Sequence, residues 1–492
     1  MVEYELFLGI DIGTTTVKAG LFDVHGSVVA HAAYRYPTHR LCNGVVEQDP
    51  NDWVKGITQV VDKVITGIKG DRVAAVGLCS QVNTDVFVDI AGNALAPAIT
   101  WQDNRAAAEA LSLDRNISDA ERQCWWGAPL PVGASHILAR MLWMQHHKPD
   151  IMSATHRVLT PKDFCLRAFA GVEVADPISN FFIVGANLTY IDGLIERVEG
   201  ARRRLAPLYS FTDIVGDFEL GSSGKRVPVV AGTMDAWSGI FGSGISRAGQ
   251  GVYMSGTSEI LAVTSEQRIG APGVVTFPTA VGLNVSAGPT QSGGDSIRWW
   301  GETVGLDVAS VLNLASEADR SHRPILFLPH LEGERAPLWD TDIRGAFIGL
   351  DSRTKGPDYA LAVMEGVALS ARLLLNSLDQ AAGSSVPRIF HAGGGAQSDL
   401  WAQIRADCLG RTLDRVAFSD VGCLGAAMMA SVGVGAHPTL NDAVLSMTKI
   451  DRSFEPIHRF KDRYDDMFEA FLNAKDALRP IGKIVKKREF DA

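Results

Sequence analysis

The chain has 492 residues, 46% of them apolar and 21% charged, which is enough apolar material for large packed cores and excludes a disordered or fibrous polymer. At roughly 150 residues per domain the length suggests about three units, and two large lobes satisfy it equally. The 46 basic and 56 acidic residues leave a net charge of −10, and the only basic run, residues 483–488, reads as a solvated tail, so nucleic acid is excluded as a partner.

Taken in chain order, residues 6–12 predict an opening strand that ends in a Gly-Thr turn, residues 17–22 a second strand, and the segment after His25-Gly26-Ser27 a third, making a β-meander. Asp49 followed by Pro50 reads as a helix N-cap with proline at the first helical position. Trp53, Ile57, Val60, Val61, Val64, Ile65 and Ile68 then follow at helical spacing. A strand over residues 73–79 completes the order βββαβ, which predicts an α/β sheet covered by helices.

The apolar strand 251–254 leads into Gly256-Thr257-Ser258, repeating Gly13-Thr14-Thr15 after 243 positions, about half the chain. The repeat predicts two related lobes with a boundary near Ile245, giving units 1–244 and 245–492. Five glycines between residues 239 and 251 fit a hinge or tight crossover. Further on, residues 389–392 predict a strand, followed by Gly393-Gly394-Gly395-Ala396 and a helix capped by Ser398 that runs through Trp401, Ile404 and Cys408.

No apolar run approaches the ~20 residues of a membrane span, and Met1-Val2-Glu3-Tyr4-Glu5 carries acid where a signal peptide carries base. The six cysteines are never closer than fifteen positions, so no C-x-x-C pair exists. These features predict a soluble, cytoplasmic protein with reduced, mostly buried thiols and no membrane partner.

In both Gly-Thr turns the glycine permits a tight turn while backbone N–H groups and the hydroxyls of Thr14, Thr15 and Thr257 project from the sheet, an arrangement that can hold phosphate oxygens. Either turn alone is equally an ordinary hairpin whose hydroxyls cap the backbone. Lys18 adds a cation one short strand beyond the first turn. The Gly393–Gly395 turn ahead of a helix N-terminus suits a nucleotide or close αβ packing. No Walker A string occurs, which disfavours a P-loop NTPase. Asp11, Asp103 and Asp235 each follow apolar strand residues, where open α/β sheets bind ligands, although Asp235 could equally cap the next helix.

Read in order, these pieces resemble the FGGY carbohydrate kinase family from end to end. Asp11-Ile12-Gly13-Thr14-Thr15-Thr16-Val17-Lys18 is similar to its first phosphate motif, Trp101-Gln102-Asp103-Asn104-Arg105 to its W-x-D-x-R segment, and Ala231-Gly232-Thr233-Met234-Asp235 to its catalytic-aspartate segment. Ser255-Gly256-Thr257-Ser258 is similar to the second phosphate motif, and Leu328-Pro329 with Gly333-Glu334-Arg335-Ala336-Pro337 to the L-P-x-L-x-G-E-R-x-P loop. Glu365-Gly366-Val367-Ala368 resembles the signature helix and Gly393–Ser398 the adenosine loop.

The resemblance implies two actin-like (ribonuclease H-like) α/β ATPase lobes with an interlobe cleft, ATP held mainly by the second lobe and a sugar or polyol mainly by the first. It implies Asp235 as general base, Asp11 as the residue orienting Mg2+ through water, and Thr14, Thr15, Lys18 and Thr257 as phosphate contacts. Gly294, Gly395 and Asp399 fall at nucleotide contacts, and Gln81, Val82, Asn83 and Asp103 at the sugar site.

Xylulokinases typically carry Gln-Met-His where this chain has Gln81-Val82-Asn83, and glycerol kinases Gln-Arg-Glu. Spacing and the Gly-Glu-Arg-Ala-Pro loop look most like the xylulokinase branch, so a ketopentose leads. L-xylulose, a polyol such as erythritol or glycerol, or another sugar derivative follows. The stretch 190–227 is shorter than in typical xylulokinases, which bears on the rim of the sugar site. A non-catalytic sugar sensor or an actin-like ATPase used as a chaperone or filament is the alternative of another class, disfavoured because no appended peptide-binding domain or coiled coil is present. Homodimers are common in such families, and no residue here marks an interface.

Overall fold

The computed structural model describes residues 5–68, 72–127, 130–321 and 324–489, with side chains as far as residue 485. The acidic start at residues 1–4 and the side chains of Lys486, Lys487 and Arg488 lie outside the described residues.

In chain order the first part forms β1 (Leu6–Ile12), β2 (Thr16–Asp23), β3 (Val28–Arg35), α1 (Pro50–Ile65), β4 (Val73–Ser80), α2 (Pro161–Ala170), β5 (Ile214–Glu219), β6 (Arg226–Val230), β7 (Thr233–Met234) and α3 (Asp235–Gly242). There follow β8 (Gly251–Ser255), β9 (Glu259–Ser265), β10 (Val275–Thr276), β11 (Asn284–Pro289), α4 (Gly294–Val304), α5 (Gly356–Ala382), β12 (Arg388–Ala392), α6 (Asp399–Leu409) and β13 (Thr412–Val416). The chain closes with α7 (Val421–Gly433), β14 (Ile450–Phe454) and α8 (Lys461–Glu489).

The chain makes two compact units that interleave. The first comprises 1–246 with 278–281 and 420–448, the second 247–277, 282–419 and 449–492. A single cut at 244/245 therefore misses α7, which belongs to the first unit although it lies some 170 residues beyond the changeover.

The sheet of the first unit runs β5-β6-β4-β1-β2-β3, with β7 also beside β4, and that of the second β10-β11-β9-β8-β12-β13-β14. In each, a hairpin strand pairs antiparallel with its successor and parallel with a later strand, β1 with β2 and β4, β8 with β9 and β12. The shared order β3-β2-β1-β4-β6 and β11-β9-β8-β12-β13 makes both units actin-like (ribonuclease H-like) lobes.

Local chemistry accounts for these elements. The Asp49 carboxylate accepts from the Asn51 N–H at 2.9 Å and Pro50 opens α1, whose Trp53, Ile57, Val60, Val61 and Val64 are buried. The helix ends at Ile65, short of the expected Ile68, because Thr66 leaves the helical region and Gly67 takes φ 77. Strand β1 reads as a continuous apolar run because both its faces are covered, and α7 packs directly on it. A Cβ on Gly9 would stand 1.8 Å from the Cys423 carbonyl oxygen, so only glycine admits that approach.

One expectation is corrected. Gly239 and Gly242 are not hinge residues but lie buried within α3, where a Cβ on Gly242 would stand 2.0 Å from the Val421 carbonyl. Residues 483–488, expected as a solvated tail, continue α8 as helix, and Lys483 is exposed. Helix α5 is long and apolar enough to cross a membrane, yet 78% of its apolar window is buried as the central helix of the second unit. Four of the six free thiols are buried, Cys42 and Cys124 being exposed.

Candidate active site

In the first unit, β1 and β7 deliver two carboxylates. Asp235 is the first residue of α3, and its side chain does not cap that helix: its Oδ1 accepts from the adjacent Ala236 N–H at 2.8 Å. Burial, then the charge of Asp11, pushes its carboxyl up to about 7. Asp11 is raised to about 6 by burial, with Lys18 opposing, and its Oδ1 is buried without a hydrogen-bond partner. Gly422 makes room for it, since a Cβ there would lie 2.6 Å from Asp11 Oδ2.

Lys18 stands on β2 opposite Asp11 and donates to Asp420 Oδ1 at 2.5 Å, while His31 Nε2 lies 2.9 Å from Asp420 Oδ2. Burial works against that carboxylate, but the His31 hydrogen bond and the Lys18 charge hold it at about 2. Asp420 escapes sequence reading because 402 positions separate it from Lys18.

The Gly-Thr turn is braced from behind. The Thr14 carbonyl accepts from Gln48 Nε2 at 2.6 Å and Thr38 Oγ1 at 3.2 Å, and Thr14 Oγ1 accepts from Trp101 Nε1 at 3.0 Å. Thr15 is exposed, with its Oγ1 3.4 Å from Thr16 Oγ1. Gln81 is buried and donates through Nε2 to Gln48 Oε1 at 2.7 Å, while its own Oε1 is buried without a partner. Gln48 thus links the Gly-Thr turn to the expected sugar loop, and only its place just ahead of the α1 cap could have drawn attention to it.

Val82 is half-buried beside Asn83, which takes φ 52, a left-handed conformation that asparagine tolerates. The Asn83 carbonyl accepts from Arg140 Nη1 at 2.6 Å, and the same guanidinium pairs with Asp85 at 2.7 Å. Asp103 is buried, its oxygens taken up by the Val46 N–H at 2.7 Å and by Arg105, whose Nη2 also reaches Glu47 at 2.7 Å. The Asp103 carboxylate is therefore engaged inside the fold and shapes the loop from behind.

In the second unit, three turns meet at the end of β8. The Gly256 carbonyl accepts from the Gly294 N–H at 2.9 Å and the Thr257 carbonyl from the Asp295 N–H at 3.1 Å, placing the N-terminus of α4 against the exposed Thr257 turn. A Cβ on Gly294 would come within 2.7 Å of the Gly256 carbonyl, and one on Gly395 within 2.8 Å of Ser255 Cβ. Beneath them Arg405 ties Glu259 at 2.5 Å to the Gly395 carbonyl at 2.9 Å. Glu334 accepts from the Gln291 N–H at 2.5 Å and Ser292 Oγ at 2.6 Å, fixing the approach to α4. Asp399 opens α6 and is paired with Arg415 at 2.6 Å and with Arg452.

Two family models cover this architecture: the N-terminal domain of the FGGY family of carbohydrate kinases matches residues 6–242 and the C-terminal domain residues 251–434. The chain belongs to the FGGY family of carbohydrate kinases. This carbohydrate kinase is 29% identical to the xylulose kinase of Staphylococcus epidermidis, over 95% of this chain and 96% of that protein. It is also 29% identical to the xylulose kinase of Escherichia coli K12, over 97% and 100%. The crystal structure of gluconate kinase from Lactobacillus acidophilus superposes with a TM-score of 0.88 at 22% identity, covering 97% of this chain and 99% of that one.

Proposed function

We propose that this sugar kinase transfers the γ-phosphoryl group of Mg-ATP to a hydroxyl of a ketopentose, xylulose first, in the cytoplasm. The observation that carries the reading is Asp235, a carboxylate at the start of α3 that makes no side-chain cap and whose burial raises its proton affinity to near neutrality, which suits a general base. Asp235 takes the proton of the attacking hydroxyl, while Thr14, Thr15, Thr257 and Lys18, the last shared with Asp420, serve as phosphate contacts. Gly294 and Gly395 give backbone access to the nucleotide, and Asp399 opens the helix beside it.

Asp11 fits a magnesium ion, bound directly or through water, because its unpartnered buried oxygen is a hard anionic donor. Among the described residues no group of three or more candidate ligands occurs. When bound, the ion would supply charge neutralisation to the transferring phosphoryl group.

For the acceptor, Gln81, Val82 and Asn83 line the sugar, with Asp103 behind them. A sugar acid such as gluconate is the second reading, prompted by the similar fold of the gluconate kinase. The pairing of Arg105 with Asp103 and Glu47, and of Arg140 with Asp85, favours a neutral acceptor, since a carboxylate needs an uncommitted cation.

Coupled ADP release with Mg-ATP across D-xylulose, L-xylulose, D-ribulose, erythritol, glycerol and gluconate tests this, with Asp235→Asn as the blank. One neutral ketopentose should respond and lose about 10²–10⁴-fold of its rate in the variant. A gluconate response overturns the substrate, and turnover preserved in Asp235→Asn overturns the base.

A further inference from the structure

Thr233 stands two residues before Asp235 on β7, a strand of only two residues that pairs with Cys79 and Ser80 of β4. So short a strand holds its end in place poorly by backbone pairing alone. Its side chain is fully buried, and its hydroxyl donates to Asp176 Oδ1 at 2.8 Å. The same oxygen accepts from the N–H groups of Ile178 and Ser179 at 3.1 and 3.0 Å. The other Asp176 oxygen lies 3.0 Å from Lys162 Nζ, which also reaches Asp163 Oδ1 at 2.5 Å. Lys162, Asp163 and Asp176 are at most 1% exposed. One ammonium is shared by the two buried carboxylates, and the Asp176 oxygen facing it makes no directed hydrogen bond, so the Thr233 hydroxyl and the Ile178 and Ser179 N–H groups are what fix the orientation of Asp176.

The cluster grips both strands that flank the candidate base. The backbone N–H of Lys162 donates to Ser80 Oγ at 3.2 Å, at the end of β4 just ahead of Gln81, and Asp176 holds Thr233 on β7. Gly232 assists by turning with φ 66, where a Cβ would meet the Leu78 carbonyl oxygen at 1.9 Å. Thr233, Asp176 and Lys162 are each fully buried.

We propose that the Thr233–Asp176–Lys162 cluster is a positioning device that sets Asp235 and the Gln81 loop in register with one another. The proposal rests on Asp235 being the base. Geometry set this way acts on the transition state more than on acceptor affinity, because a displacement of about 1 Å at the reacting group costs on the order of 10²-fold in rate.

The test is Thr233→Val, which keeps the shape and removes the hydroxyl, beside Thr233→Ser, which restores it, and Asp235→Asn. Each full-length variant is assayed with Mg-ATP and the best acceptor of the panel above, and its thermal midpoint recorded. The expected result for Thr233→Val is a kcat lower by about 10–100-fold with the acceptor KM within roughly threefold, and recovery of kcat in Thr233→Ser. Wild-type kcat in Thr233→Val alongside an inactive Asp235→Asn overturns the positioning role and leaves the base intact. A loss in Thr233→Val that Thr233→Ser does not recover, or that tracks a collapse of the thermal midpoint, overturns it as merely structural. An active Asp235→Asn, or a panel with no responder, removes the base and this proposal with it.

Discussion

Two carboxylates set the behaviour of the first unit at the residue scale. Asp235, near 7, and Asp11, near 6, stand above the ordinary aspartate value because both are buried, and the Asp11 charge adds to the shift at Asp235. As the proposed base, Asp235 must be ionised to accept a proton, so kcat/KM for Mg-ATP at saturating acceptor should fall below an apparent pKa near 7 that belongs to the pair. A pH–rate profile flat from 5 to 8 contradicts this. The same shift has a stability consequence of fixed sign. The folded state keeps a proton that the unfolded chain releases near 3.8, so the contribution is present at low pH and lost as pH rises through 7. Asp235→Asn should therefore raise the thermal midpoint at pH 8, by roughly 2–4 °C for each kcal/mol relieved, and leave it nearly unchanged at pH 4.5.

At the scale of elements, close backbone approaches decide what substitutions do. Alanine in a helix interior normally gains up to ~1 kcal/mol over glycine, but in α3 a Cβ on Gly242 would stand 2.0 Å from the Val421 carbonyl of α7. Gly242→Ala should instead lower stability by about 1–3 kcal/mol, the range for overpacking, seen as an earlier urea midpoint. In the second unit Gly294 meets the Gly256 carbonyl in the same way. Gly294→Ala should push α4 off the Thr257 turn and raise the KM for ATP by about tenfold, with the acceptor KM unchanged. Equal rises in both constants would place the α4 turn outside the nucleotide site.

For the whole molecule, the two sheets share one strand order, and that similarity outweighs the three residues by which the sequence announces it. The first unit is completed by a segment that follows most of the second: α7 is buried along residues 421–431 and supplies Gly422 beside Asp11. A fragment ending at Ser246 should lack a cover for β1, β4 and α3 and remain uncooperative in thermal melts. The same fragment joined by a flexible linker to residues 420–448 should melt cooperatively. A cooperative 1–246 fragment would show that α7 is dispensable.

The meander β1–β3, the Asp49 cap of α1, the glycine turn before α6 and the positions of Asp11, Asp235 and the Gly-Thr turns were legible because each rests on neighbours in sequence: alternation, a cap, a turn that needs glycine. The order of the motifs by itself marked a kinase of this family. Only the tertiary structure decided that Asp420 grips Lys18, that Gln48 joins the first Gly-Thr turn to Gln81, that Asp103 is occupied by Arg105, and that Gly242 packs in place of bending. Those contacts join residues from 2 to 402 positions apart, and they are chosen by which buried charge or polar atom finds a partner once the sheet has formed. Local propensity carries no record of that choice, because the energy of a buried pair exists only after the chain has excluded water around it.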